Sequence, residues 1–129
     1  MSTTENTGGS KPRAALLVST DLIFSTKITG TARAMGVEVE VVGSVADVAG
    51  RIQSAGPRCV LLDLGLASLS PERIHEIVQA SAGAAVLAFG SHVDTARLQQ
   101  ARDAGCSEVM PRSRLATSLP QLLEQYLHV

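Results

Sequence analysis

Aromatic side chains are nearly absent from this chain, which has two Phe, one Tyr and no Trp among 129 residues. Apolar residues still make up 45% of it, so a core has to be assembled from Val, Leu, Ile and Ala. Small branched side chains of this kind suit helices packed closely on a parallel sheet. Cysteine is scarce too. Cys59 and Cys106 are the only two, they lie in apolar segments, and no C-x-x-C occurs. They read as small buried thiols in a reducing cytosol, not as redox or disulfide partners.

No charge of one sign dominates: 11 basic against 12 acidic residues gives a net charge of −1. That excludes a surface-wide attraction to nucleic-acid backbones or anionic membranes. No apolar run approaches the roughly 18 residues of a membrane span. Residues 1–13, MSTTENTGGSKPR, have no apolar side chain after Met1. They read as a disordered tail without the apolar stretch of a signal peptide. The expectation is a cytoplasmic protein with one folded domain over 14–129, a size that supports one ordinary core. The motifs of several enzyme classes are missing as well. There is no G-x-G-x-x-G for a dinucleotide, no Gly-rich loop ending in Lys-Ser/Thr for a nucleotide phosphate, and no G-x-S-x-G for a hydrolase. The chain is expected not to be an enzyme.

What is present is an alternation. Short apolar runs stand at Ala14–Val18, Val39–Val42, Cys59–Leu62, Ala85–Phe89 and Glu108–Met110. Between them lie helical spacings: Phe24, Ile28, Ala32, Met35; Val45, Val48, Ala49, Ile52; Ile74, Ile77, Val78; Leu119, Leu122, Leu123, Tyr126. Three of these patterns run into glycine, at Gly36, Gly56 and Gly83, and the segment ending at Ala104 runs into Gly105, as helix ends do. Ser70-Pro71 marks a helix start, Ser44 with Asp47 makes a near capping box, and Asp94 and Ser113 are candidate caps of the last two helices.

The pattern predicts an α/β fold, a flavodoxin-like (βα)₅ doubly wound parallel sheet. Helical crossovers make the strands parallel, and five units are too few for an eight-stranded barrel. The second run, Val37 to Val42, alternates charged and apolar residues, and the fifth is short and mixed, so both read as edge strands. The predicted order is 2-1-3-4-5, with a switch point between strands 1 and 3 where ligands and chemistry collect.

At that rim the sequence supplies Ser19-Thr20-Asp21, then Asp63-Leu64-Gly65, then Gly90-Ser91-His92, then Pro111-Arg112-Ser113. Asp63 is the informative member, a lone carboxylate closing the fully apolar run from Cys59 to Leu62. His92 reads as an exposed loop residue, and His75 and His128 stand too far apart in sequence to suggest a metal pair. Arg112 reads equally as a partner of Asp63 and as a solvated loop cation, and Asp21 as a carboxylate favoured by the N-terminus of the first helix.

Across about residues 13–128 the chain resembles the receiver (CheY-like) domain of bacterial response regulators. Val60-Leu61-Leu62-Asp63-Leu64 resembles the phosphoacceptor strand, and Ala104 to Arg112 resembles the segment that ends helix 4 and forms strand 5. The resemblance implies phosphorelay (two-component) signal transduction, with Asp63 as the candidate phosphoacceptor. It also implies a Mg²⁺ site, here limited to Asp63 and, in a shifted register, Asp21. The site departs from the family's pattern elsewhere. The acidic pair after strand 1 is replaced by Val18-Ser19-Thr20. The strand-4 Thr/Ser falls on Gly90, with Ser91 beside it, and the strand-5 Lys falls on Arg112, followed by Ser113 instead of Pro. The aromatic of strand 5 falls on Val109, and the proline beyond the phosphoacceptor is missing near Ala67.

Mg²⁺ prefers several oxygen ligands in an octahedral set, so its affinity here is expected to be weak. The departures mark an atypical receiver or pseudo-receiver. Three readings follow. One is a stand-alone receiver-like signalling module with Asp63 as phosphoacceptor. Another is a phosphorylation-independent pseudo-receiver acting as a protein-interaction scaffold. The third is a small flavodoxin-like domain binding a ligand between strands 1 and 3. Expected partners are a histidine kinase or another signalling protein, or a second copy of the chain through helix 4, strand 5 and helix 5. The polar residues Arg97, Gln99, Gln100, Arg102 and Asp103 of helix 4 suit such a face.

Overall fold

The computed structural model describes residues 14–127. The tail over 1–13 and His128 lie outside the described residues. The elements alternate as β1 (Ala15–Val18), α1 (Leu22–Ala34), β2 (Val39–Val42), a 3₁₀ turn (Val45–Asp47), α2 (Val48–Ala55), β3 (Cys59–Asp63), α3 (Pro71–Ala80), β4 (Ala85–Gly90), α4 (Thr95–Asp103), β5 (Glu108–Pro111) and α5 (Arg112–Leu127). One five-stranded sheet runs in the order β2-β1-β3-β4-β5, and every pairing is parallel. This is the flavodoxin-like (βα)₅ architecture with strand order 2-1-3-4-5. The two runs with mixed polarity are the edges, and the strands buried on both faces are inside.

Because side chains alternate across a strand, the sheet divides the apolar residues into two cores. Leu16, Val18, Val60, Leu62, Val86 and Ala88 face α2, α3 and α4 with Ile52, Ile74, Ile77 and Leu98. Ala15, Leu17, Cys59, Leu61, Leu87 and Phe89 face α1 and α5 with Ile28, Leu115, Leu119 and Leu123. In β3 the alternation sends Asp63 to the α1/α5 side, opposite Phe89 in register. Leu64 goes to the other side, 5% exposed in the aliphatic core.

The helix ends follow the sequence signals in part. Ser70 accepts from the Arg73 N–H with Pro71 at the first helical position, and Asp94 accepts from the Arg97 N–H. Gly36, Gly56, Gly83 and Gly105 all have positive φ, and Gly56 at φ 59° closes α2 in the left-handed conformation that glycine tolerates. Two expectations fail. Ser44 makes no side-chain cap bond, and the chain winds through the 3₁₀ turn before α2 begins. Ser113 is no cap either, because α5 starts one residue earlier, directly after the strand. Pro120 lies inside α5 on its exposed side, where the lost backbone bond does not face the core.

Candidate functional site

The site is built at the carboxyl end of β3. Asp63 is 4% exposed, and a carboxylate taken out of water needs partners for both oxygens. It has them. Oδ2 accepts from the Ser19 hydroxyl at 2.7 Å. Oδ1 accepts from the Gly65 N–H at 2.8 Å and from the Arg112 guanidinium at 2.9 Å. Each partner comes from a different strand end: Ser19 follows β1, Gly65 follows β3 and Arg112 follows β5. Parallel register brings those three ends to one rim.

The positive charge is itself held. The Arg112 guanidinium carbon lies 5.7 Å from the centre of the Phe24 ring and 5.9 Å from that of Phe89. The two rings lie 5.2 Å apart at 41°. Both phenylalanines of the chain therefore converge on one cation, which their ring faces attract. The Arg112 Nε is buried without a hydrogen-bond partner, so the side chain's position is set by the rings and by Asp63. Gly65 makes the arrangement sterically possible. A Cβ there would lie 3.0 Å from Asp63 Oδ1 and 3.1 Å from the arginine nitrogen, so any side chain would push into the ion pair.

The remaining rim residues are placed elsewhere. Asp21 spends its carboxylate on the α1 cap, accepting from the Phe24 N–H at 3.0 Å, while its own N–H donates to Ser19 Oγ. Thr20 is exposed. Gly90 is buried, and a Cβ on it would meet the Leu64 Cβ at 3.2 Å, so a side chain at the end of β4 would crowd Leu64. Ser91 is exposed, with its Oγ accepting from the Val93 N–H at 3.4 Å within its own turn, and His92 is exposed. Ser113 is exposed, and Val109 packs half-buried against the aliphatic core. His75 is an exposed α3 residue with Nδ1 3.4 Å from the Ala104 carbonyl.

A Mg²⁺ ion requires several oxygen ligands at short range, and the residues present do not fit it. Among the described residues no three His, Cys, Asp or Glu side chains converge as metal ligands. Asp21 is committed to its helix, and Asp63 is already neutralised by a guanidinium. The thiols are ordinary core groups: burial, aided by the charge of Glu108, pushes Cys59 up to about 12, and burial pushes Cys106 to about 11. Neither forms thiolate readily near neutral pH.

Three contributors escape a reading of the sequence. Phe24 and Phe89 look like ordinary apolar positions of α1 and β4, and only the rarity of phenylalanine in this chain hints at a special use. Arg97, expected on the polar outer face of α4, turns inward. Its Nε donates to the Leu64 carbonyl at 3.1 Å and its terminal nitrogen to the Leu66 carbonyl at 2.9 Å.

No protein-family model matches the chain, and no curated protein matches it in sequence. Solved structures match it in shape. The receiver domain of NtrX from Brucella abortus superposes with a TM-score of 0.76 at 19% identity, covering 89% of this chain and 98% of that one. A response regulator from Chloroflexus aurantiacus gives 0.77 at 17% identity, over 92% of this chain and 100% of that one. A response regulator from Thermotoga maritima gives 0.72 at 13% identity, over 89% and 97%. Among the described residues no helix is long and apolar enough to cross a membrane. The chain has the fold of response-regulator receiver domains, with an arginine–carboxylate pair at the end of its third strand.

Proposed function

We propose that this chain is a receiver-like signalling module that works by binding a protein partner, with Asp63 locked by Arg112 instead of phosphorylated. The observation that carries this reading is the pairing of both oxygens of Asp63. Both carboxylate oxygens accept hydrogen bonds, one of them charge-assisted from a guanidinium that two rings hold in place. Phosphoryl transfer to a carboxylate depends on a free, well-placed oxygen and on charge neutralisation of the incoming group. Here both carboxylate oxygens already accept hydrogen bonds, and the Arg112 guanidinium is already paired with one of them. A permanently paired aspartate keeps the rim in a single state, which suits a scaffold read by a histidine kinase, by another signalling protein or by a second copy of the chain through α4, β5 and α5. The reading requires no catalysis and places the protein in the cytoplasm.

A second reading keeps Asp63 as a phosphoacceptor, because it occupies the end of β3 in a receiver fold. It requires Arg112 to leave Asp63 and Mg²⁺ to bind weakly with few carboxylates. One assay decides between the two. The protein is incubated with Mg²⁺ and acetyl phosphate or beryllofluoride, and intact mass and amide NMR spectra are compared with those of Asp63→Asn. The expected result is no adduct and no spectral change in the wild type. A saturating adduct on the wild type that disappears in Asp63→Asn overturns the scaffold reading in favour of phosphorylation.

A further inference from the structure

We infer that Arg97 is the positioning residue through which the paired Asp63 holds the start of helix α4. The route is a single peptide unit. The amide joining Leu64 to Gly65 donates its N–H to Asp63 Oδ1 at 2.8 Å, and its carbonyl accepts from Arg97 Nε at 3.1 Å. A peptide unit is planar and turns as one rigid plate. Any change in how Asp63 holds the N–H therefore displaces the carbonyl that Arg97 holds. The two bonds also polarise one another, since a carbonyl accepting from a cation makes its amide N–H a better donor.

The surroundings leave that plate few other ways to move. The Leu64 N–H is tied to the Phe89 carbonyl of β4 at 2.8 Å, and the Leu66 N–H returns to the Asp63 carbonyl at 3.1 Å. The Leu64 side chain is closed in against Gly90. On the far side, Arg97 stands in the first turn of α4, with its own N–H on the Asp94 cap. Its second donor reaches the Leu66 carbonyl at 2.9 Å, so the helix start follows the loop as one body. Beyond it α4 exposes Gln99, Gln100, Arg102 and Asp103, the groups a docked protein would read. The inference rests on the proposed reading of Asp63 as a carboxylate held permanently by Arg112.

The test uses the whole chain and no phosphoryl donor. Amide shifts are recorded for Asp63→Asn against wild type, and again for the same change in an Arg97→Met background. Asp63→Asn is expected to move the amides of Thr95 to Asp103 in the wild-type background. In the Arg97→Met background those α4 shifts are expected to be lost, while the shifts at Ser19 and Gly65 remain. Arg97→Lys, which can serve only one carbonyl at a time, is expected to reduce the α4 shifts without abolishing them, and it stands in if Arg97→Met does not fold. Equal α4 shifts in both backgrounds overturn the inference, and so does their absence in the first pair. A phosphorylated wild type refutes the scaffold reading but leaves this comparison intact.

Discussion

The two faces of the sheet solve the same packing problem with different materials. The face under α2, α3 and α4 is aliphatic apart from the partly buried Cys106, and Arg97 reaches its rim only to hold backbone carbonyls. The face under α1 and α5 carries both phenylalanines, the buried carboxylate and the cation paired with it. Aliphatic layers need only volume and pattern, and tolerate exchange among similar shapes. A buried charge needs partners in fixed places, so the second face is specified residue by residue. The ends of β1, β3 and β5 therefore cooperate around Asp63, while the opposite face mainly supports them.

The largest test of this contrast removes an aromatic. Phe89→Ala should cost about 3–5 kcal/mol, the usual range for truncating a buried phenylalanine, read as the shift in urea unfolding. It should also free Arg112, visible as altered shifts at Gly65. Leu62→Ala, on the aliphatic face, should destabilise while leaving the Gly65 shift close to wild type. If the two variants perturb Gly65 equally, the faces are not distinct.

The next effect concerns the ion pair. Arg112→Met keeps much of the stem but leaves Asp63 buried without its cation. The Ser19 and Gly65 bonds remain, and the arginine side chain is 35% exposed, so the expected loss is about 1–3 kcal/mol. Adding Asp63→Asn should recover part of it, because the cost lies in the unpaired charge. A double variant no more stable than Arg112→Met would show that the arginine acts through packing alone.

The smallest effect is invisible at neutral pH and contrasts one thiol on each side. Cys59 is raised from 9.0 to about 12 and Cys106 from 9.0 to about 11. A raised acid favours the folded state's protonated form, so this stability is full below pH 9 and drains as the pH rises through each folded value. Urea midpoints should hold to about pH 9 and then fall, and Cys59→Ala should flatten the decline more than Cys106→Ala. Declines that level off at the same pH would mean that the two thiols are equally buried.

Much of this was legible in the chain, for local reasons. Apolar runs of strand length separated by helical spacing, with glycine at the helix ends, are short-range signals. They suffice for the element order and for the mixed edge strands that fix 2-1-3-4-5. Asp63 stood out because a carboxylate after an unbroken apolar strand is unusual. Ser44 misled because a capping residue acts only if the backbone enters the helix there, and a 3₁₀ turn comes first. Ser113 misled because α5 needs no loop after β5.

The sequence by itself determined the class of fold, its strand order and the place of Asp63, since periodicity and turn residues act over a few positions. The tertiary structure decided what that acid is. Residues 24, 89, 97 and 112 are distant along the chain, and nothing local says that two rings will hold one arginine against Asp63 while another holds the loop behind it. Those contacts exist only because parallel strand ends meet at one rim, and burial then requires every charge there to find a partner.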